Sequence, residues 1–201
     1  VRITASEMVA TFLLPAILVE LADEQPNIQV ELVSSNQTEN LLLREADIAV
    51  RMYRPTQTDV FTRKIAEMPI GLFAAHSYIQ RHGMIEDVSD LPGHRILGSD
   101  RFDMIQRGFK EANAGVSAEA FTFRSDAQVA SWEMLRAGYG LGIGPQFLGR
   151  SDDTLREIDT GDIIPPLPLW LTAHSELKTS RRVRFVFDFL ADGLKRRLAA
   201  G

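Results

Sequence analysis

The sequence predicts an α/β protein of two lobes, and three observations carry that expectation. Strand-like and helix-like runs alternate over short links from Val1 to about Met52, a pattern that implies parallel pairing with right-handed crossovers. A second run, from about Val60 to Pro145, alternates again and reads as another α/β lobe. The 201 residues exceed one minimal core and suit one large domain or two small ones.

The elements follow in order. Val1 to Ala5 reads as a buried strand, Ser6 as an N-cap, and Glu7 to about Gln25 as a helix kinked at Pro15 and stopped by Pro26. Ile28 to Val33 alternates as a half-buried strand should, Ser34-Ser35-Asn36 caps a short helix through Leu41 to Glu45, and Asp47 to Met52 is the next strand. Val60 to Glu67 and Pro69 to Ala75 read as strands, and Ser77 to His82 as a helix. Further on come a strand at His94 to Gly98, a helix from Phe102 to Asn113, and a strand at Phe121 to Arg124. Ser125-Asp126 is expected to cap a helix through Ala137, ended by Gly138, before a glycine-rich strand from Gly140 to Gly144. Pro165 to Pro168 reads as a stiff connector, Leu169 to Ala173 as a strand, and Lys178 to Leu198 as a helix. In that last helix Val183, Val186, Phe187, Leu190 and Leu194 recur at helical spacing.

Composition excludes several classes. Hydrophobic residues at 45% and charged residues at 24% are ordinary for a globular chain and argue against disorder. No apolar run approaches the roughly 20 residues of a membrane span; the longest, Met8 to Ala22, is broken by Pro15 and Glu20. Zero cysteines exclude disulfides and thiolate metal sites and fit a reducing cytoplasm. A net charge of -5 argues against this chain gripping nucleic acid itself. The opening Val1-Arg2-Ile3-Thr4 lacks both an initiator Met and a leader-like charged and apolar pattern, so a cytoplasmic fragment of a longer chain is expected.

Catalytic signatures are missing. Gly138, Gly140, Gly142 and Gly144 imitate a dinucleotide fingerprint, but the third glycine falls at Ile143 or Pro145, and the run sits in a strand. A helix end and a close-packed strand explain these glycines better. His76, His82, His94 and His174 have no zinc-ligand spacing, and neither GxSxG nor a phosphate loop occurs. Asp152-Asp153 reads as solvated surface, and the sequon Asn36-Gln37-Thr38 has no sign of secretion beside it. The expectation is a non-enzyme without metal or cofactor.

Polar turns at strand ends are the positive signal. Ala5-Ser6-Glu7, Ser34 to Gln37 and Ser125-Asp126 each pair helix N-terminal N–H groups with a hydroxyl or amide, and Arg51 adds a charged donor at the end of its strand. In open sheets, ligands lie beyond such carboxyl ends. An ordinary N-cap explains any one turn as well. Only their sharing one sheet edge would make a site. The first helix is apolar nearly all round, and the helix after Asp126 carries Val129, Trp132, Met134 and Leu135. Both therefore read as two-sided, which fits a homodimer pairing helix 7–25 with helix 126–137 of a second copy, with Val9 as an outward position.

Several short motifs occur in a fixed order. Val1 to Ser6, Leu13-Leu14-Pro15, Pro26-Asn27-Ile28, Ala46 to Arg51, and Ala74, Tyr78 and His82-Gly83 are followed by Leu135 to Pro145, His174-x-x-Leu177, Arg181 to Arg184 and Asp188-Phe189-Leu190. Together they resemble the effector-binding domain of LysR-type transcriptional regulators over nearly the whole chain. The resemblance implies two Rossmann-like lobes joined by two crossover strands, the type 2 periplasmic-binding-protein fold, with lobe I at 1–74 and 169–201 and lobe II at 75–168. It implies a small-molecule effector, a small carboxylate among the candidates, in the cleft between the lobes. First-lobe contacts would fall on Ser6, Glu7, Met8, Ser35, Asn36 and Arg51. Second-lobe contacts would fall on Ser99, Asp100, Arg101, Phe102, Ser125, Asp126 and Pro145. Acidic Glu7 beside Ser6 departs from the pattern and would repel a strongly anionic effector. DNA would be bound only through an N-terminal domain absent from this chain. The alternatives are a periplasmic solute-binding protein of a transport system and an enzyme on the same fold.

Overall fold

The computed structural model describes residues 1–36, 46–56, 59–99, 104–111 and 114–199. The chain divides into two compact units, Val1–Met68 with Leu167–Gly201, and Pro69–Pro166.

The first unit holds a five-stranded sheet in the order β2-β1-β3-β10-β4. Its strands are β1 (Arg2–Ala5), β2 (Glu31–Ser34), β3 (Ile48–Arg51), β4 (Val60–Met68) and β10 (Leu167–His174). β1 runs parallel to both β2 and β3, while β10 is antiparallel to β3 and β4. All four residues of β3 are buried, as a central strand's should be, whereas β2 lies at the edge and is mostly exposed. The sequence started β2 at Ile28; the ladder with β1 runs from Glu31, opposite Arg2, to Ser34, opposite Ala5.

Helix α1 (Leu14–Glu24) is preceded by a turn of π-helix at Val9–Leu13. Pro15 has no N–H and its ring crowds the carbonyl four residues back. The chain widens just before it, with the Leu14 N–H reaching Val9 O, and the expected kink takes the form of a π-turn. Leu14, Ile17 and Leu21 face the core, Val9 is 1% exposed, and Val19 is 62% exposed, so the outward apolar position is Val19 and not Val9. Helix α6 (Arg181–Ala199) buries Val183, Val186, Phe187, Leu190 and Leu194, the five residues its spacing singled out, each stabilising the fold by on the order of 2 kcal/mol. Glu20 joins α1 to α6 through Arg196 at 2.8 Å and Arg197 at 3.0 Å.

The second unit repeats the plan. It contains β5 (Ile70–Ala75), β6 (Leu97–Gly98), β7 (Phe123–Arg124), β8 (Leu141–Pro145) and β9 (Leu155–Ile158). β6 and β7 are parallel, a parallel bridge from Ile96 to Leu141 places β8 beside β6, and β5 lies antiparallel between β8 and β9. The resulting order, β7-β6-β8-β5-β9, matches that of the first unit strand for strand. Because β5 pairs only with β8 and β9, the chain passes from one unit to the other at Met68-Pro69, not after Ala74.

Its helices are α2 (His76–His82), α3 (Met104–Glu111), α4 (Gln128–Arg136) and α5 (Gln146–Arg150). Trp132 and Leu135 of α4 pack inward. Gly138 follows the helix with φ of +78°, a conformation that disfavours any side chain. A Cβ at Gly144 would lie 2.2 Å from the Trp132 ring, so close packing accounts for the glycine-rich strand.

Two elements here were not legible in the sequence. α5 has five residues and β9 four, too few to show a period. Asp152 between them is not solvated surface: its carboxylate takes Arg136 Nε at 2.7 Å and the Thr154 hydroxyl at 2.6 Å. Those bonds, Thr154 foremost, hold it below the usual carboxylate range.

Candidate functional site

In each unit the carboxyl ends of the parallel strands come together, and most of the residues expected to meet a ligand stand there. In the first unit Ser6, Glu7 and Met8 follow β1, Ser35 and Asn36 follow β2, and Arg51 ends β3. Parallel pairing of β1 with both neighbours forces these three turns to one edge. The backbone stitches them together: Ser35 N–H donates to Ala5 O at 2.9 Å, Ser6 N–H to Val50 O at 3.4 Å, and Glu7 N–H to Asn36 Oδ1 at 3.0 Å.

Ser6 does not cap. The helical turns begin at Glu7, yet the Ser6 hydroxyl is buried and has no hydrogen-bond partner, while Asn36 takes the Glu7 N–H instead. Met8 is 6% exposed and packs in the core. Residues 37–45, where a helix through Leu41 to Glu45 was expected, lie outside the described residues.

Arg51 is 1% exposed. Its Nη2 donates to Thr4 Oγ1 at 2.9 Å and its Nη1 to Val50 O at 3.4 Å; its Nε has no partner. Burial lowers the guanidinium's pKa, and the Tyr53 phenol opposes that shift. A guanidinium stays charged regardless. Opposite Arg51 in the ladder stands Trp170 of β10, at a β-bulge where the pairing skips Ile65. Bulges of this kind re-aim side chains beside functional sites.

The second unit has the counterpart. Ser99 follows β6, Ser125 and Asp126 follow β7, and Pro145 ends β8. Ser125 N–H donates to Gly98 O at 3.0 Å, and the Ser99 hydroxyl donates to Asp126 Oδ1 at 2.6 Å. The expected capping role of Ser125-Asp126 is corrected. The N-cap is Ala127, which has no cap side chain; Ser125 Oγ accepts the Ala127 N–H, and the Asp126 carboxylate is turned to Ser99. Where the first unit ends its third strand on buried Arg51, the second ends on buried Pro145. Asp100, Arg101 and Phe102 lie outside the described residues.

Sequence reasoning missed Tyr53, Trp170 and Thr172, whose polar atoms are buried and unpartnered beside Arg51. Trp170 and Thr172 sit in a strand that reaches this sheet only through the tertiary fold, so no local signal marked them. Among the described residues no cluster of three His, Asp or Glu could hold a metal, and no helix is long and apolar enough to cross a membrane.

Two units of this topology, joined by two passages of the chain, define an α/β domain of the type 2 periplasmic-binding-protein class. The family model of the LysR substrate binding domain matches residues 1–195, and the chain belongs to that family. It is 24% identical over 208 residues to the HTH-type transcriptional regulator CrgA of Neisseria meningitidis, covering 96% of this chain and 66% of the relative. It is likewise 24% identical to the HTH-type transcriptional activator AaeR of Escherichia coli, covering 95% and 63%. The chain thus spans just under two thirds of the length of these relatives. The fold is shared with the regulatory domain of CrgA at a TM-score of 0.82 and 22% identity, covering 96% of this chain and 98% of that one. The regulatory domain of CcmR from Synechocystis PCC6803, solved in complex with 2-PG, matches at a TM-score of 0.77 and 16% identity, covering 97% of each chain. These relatives are regulators, and nothing among them supports the transport alternative.

Proposed function

We propose that this chain is the effector-sensing part of a LysR-type transcriptional regulator, binding a small molecule at polar strand-end turns. Binding would shift a conformational equilibrium and so change how the whole protein, through an N-terminal domain, engages DNA. In this reading the chain works in the cytoplasm, performs no catalysis and needs no cofactor. The observation that carries it is the matched pair of polar turns: Glu7 N–H on Asn36 in one unit, Ser99 on Asp126 in the other, each joining the ends of the first two parallel strands. The CcmR regulatory domain, a relative in fold, was solved with a small ligand, which supports the same use here. Ser6, Asn36, Arg51, Ser99, Ser125 and Asp126 are the polar contacts of this proposal, with Met8 and Pro145 buried beneath.

A thermal-shift screen of metabolites tests it. A ligand at about 100 times its Kd raises stability by about 2.7 kcal/mol. Ser6→Ala should then weaken the ligand by about tenfold, since about 1.4 kcal/mol is the scale of one good hydrogen bond. The variant should leave the unliganded melting temperature unchanged, because the hydroxyl makes no bond within the protein. Unchanged affinity in Ser6→Ala would place the ligand elsewhere.

A further inference from the structure

Helix α6 carries aromatic residues on the side it turns away from its core. The inward face is Val183, Val186, Phe187, Leu190 and Leu194. At about 100° per residue, Phe185 and Asp192 stand on the opposite side, flanked by Arg181 and Phe189. The Phe185 and Phe189 rings stack with centroids 6.0 Å apart and are half-buried. With Arg181, Arg184, Asp188 and Asp192 they line a shallow groove along the helix.

The charges of this face are of two kinds. Asp188 is satisfied within the chain, by Arg184 at 3.0 Å and by Arg63 of β4 at 3.5 Å. Arg181 and Asp192 are exposed and have no ion-pair partner among the described residues. They lie 11 residues apart, about three turns, with the stacked rings between them. A stripe with a cation at one end, an acid at the other and an apolar middle is its own complement after a half-turn. Set antiparallel about a two-fold axis level with Phe187, a second copy brings Phe185 opposite Phe189 and Arg181 beside Asp192, each contact occurring twice. Parallel pairing would set Arg181 against Arg181 and Asp192 against Asp192. An anionic lipid surface is matched by cations along the whole polar face, which Asp188 and Asp192 interrupt.

We propose that the outer face of α6 is a contact between two copies of this chain, antiparallel and centred on Phe185 and Phe189, with Arg181 and Asp192 paired across it. It uses neither helix 7–25 nor helix 126–137, so it adds to the homodimer expected through those helices. Three helical turns a side make a contact smaller than the about 1,200 Å2 of stable interfaces, with a Kd of about 0.1–1 mM. At micromolar protein the contact is open. Where copies are already tethered as dimers, two such faces raise each other's effective concentration and join dimers into larger assemblies.

The chain has no cysteine, so Lys195→Cys gives a single spin-label site on the exposed side of α6. Distances between labels are read by pulsed electron paramagnetic resonance at about 0.5 mM protein, within the expected range of Kd. Antiparallel pairing level with Phe187 separates the labels by about 24 Å along the helix, whereas parallel pairing leaves them about 10 Å apart. The longer distance is expected. Arg181→Glu or Asp192→Lys makes both symmetric ion pairs repulsive and should weaken the association about tenfold, with the melting temperature unchanged. An equimolar mixture of these two variants, and the double variant carrying both changes, place opposite charges across the contact again and should restore it. Val19→Glu, on α1, should leave it in place. The proposal is overturned if the longer distance is absent, which would leave the groove to a different protein, or if it survives either single reversal. It is also overturned if neither the mixture nor the double variant restores the distance, or if Val19→Glu abolishes it, which would assign it to α1.

Discussion

At the scale of the residue, the Tyr78 hydroxyl accepts the Arg95 N–H at 3.0 Å and lies 3.1 Å from His94 Nδ1, to which it would donate its own proton with the ring in the Nε2–H tautomer. That arrangement requires a neutral imidazole. Burial, and after it the charge of His82, hold the His94 pKa below its ordinary 6.5, with Asp90 opposing. The folded state therefore binds the proton less readily than the unfolded chain. The stabilisation is fully present above about pH 6.5 and is lost as pH falls through the folded value. An NMR titration should find the His94 midpoint below 6.5, and Tyr78→Phe should move it upward by removing the donor to the neutral ring. A midpoint at or above 6.5 would contradict this geometry. Gly144 makes a second residue-scale case. Alanine there would drive a Cβ into Trp132, and overpacking of this kind costs about 1–3 kcal/mol. Equilibrium denaturation of Gly144→Ala should show a loss in that range with unchanged cooperativity.

At the scale of the element, α1 and α4 were both expected to be two-sided, and their faces now separate. On α1, Leu14, Ile17 and Leu21 are spent on the core, while Val19 is left open to solvent and Leu32 of edge strand β2 is 37% exposed. On α4, Trp132 and Leu135 point inward, and Val129 and Met134 are half-buried. We propose a homodimer in which α1 of one copy meets α4 of the other. Val19→Glu should convert it to monomers in sedimentation velocity without lowering the melting temperature of the monomer. A dimer that persists in Val19→Glu would exclude α1 from the contact. Helix existence was legible from periodicity, because α1 and α6 are long enough to show 3.6-residue spacing. Cap identity was not. Ser6 and Ser125-Asp126 have the side chains of good N-caps, but their polar groups answer to partners brought by the sheet, or to none.

At the scale of the whole molecule, charge limits what this chain does alone. A net charge of -5 works against the phosphate neutralisation on which DNA binding depends. A gel-shift assay with the 201-residue chain at about 0.1 M salt should retain free DNA at micromolar protein; a stable complex would count against an N-terminal DNA-binding domain as the point of contact. The repeated strand order in the two units means that the same turns, in the same sequence order, arrive at the same edge twice. That repetition gives each unit its own polar strand end, with the Arg51 guanidinium in the first and the Asp126 carboxylate in the second.

The sequence by itself determined the class of fold, the three strands and the first helix within residues 1–36 and 46–52, the buried face of α6 and the family, because each is written in local period or in the order of short motifs. It named Arg51 and Asn36 as polar groups at strand ends. Only the tertiary structure decided that Arg51 is buried with no acidic partner among the described residues, that Asn36 turns its NH2 end free, and that Trp170 and Thr172 join them from a strand more than 100 residues away. Pairing between distant strands leaves no trace in local spacing, and whether a polar group finds a partner depends on neighbours that only folding supplies.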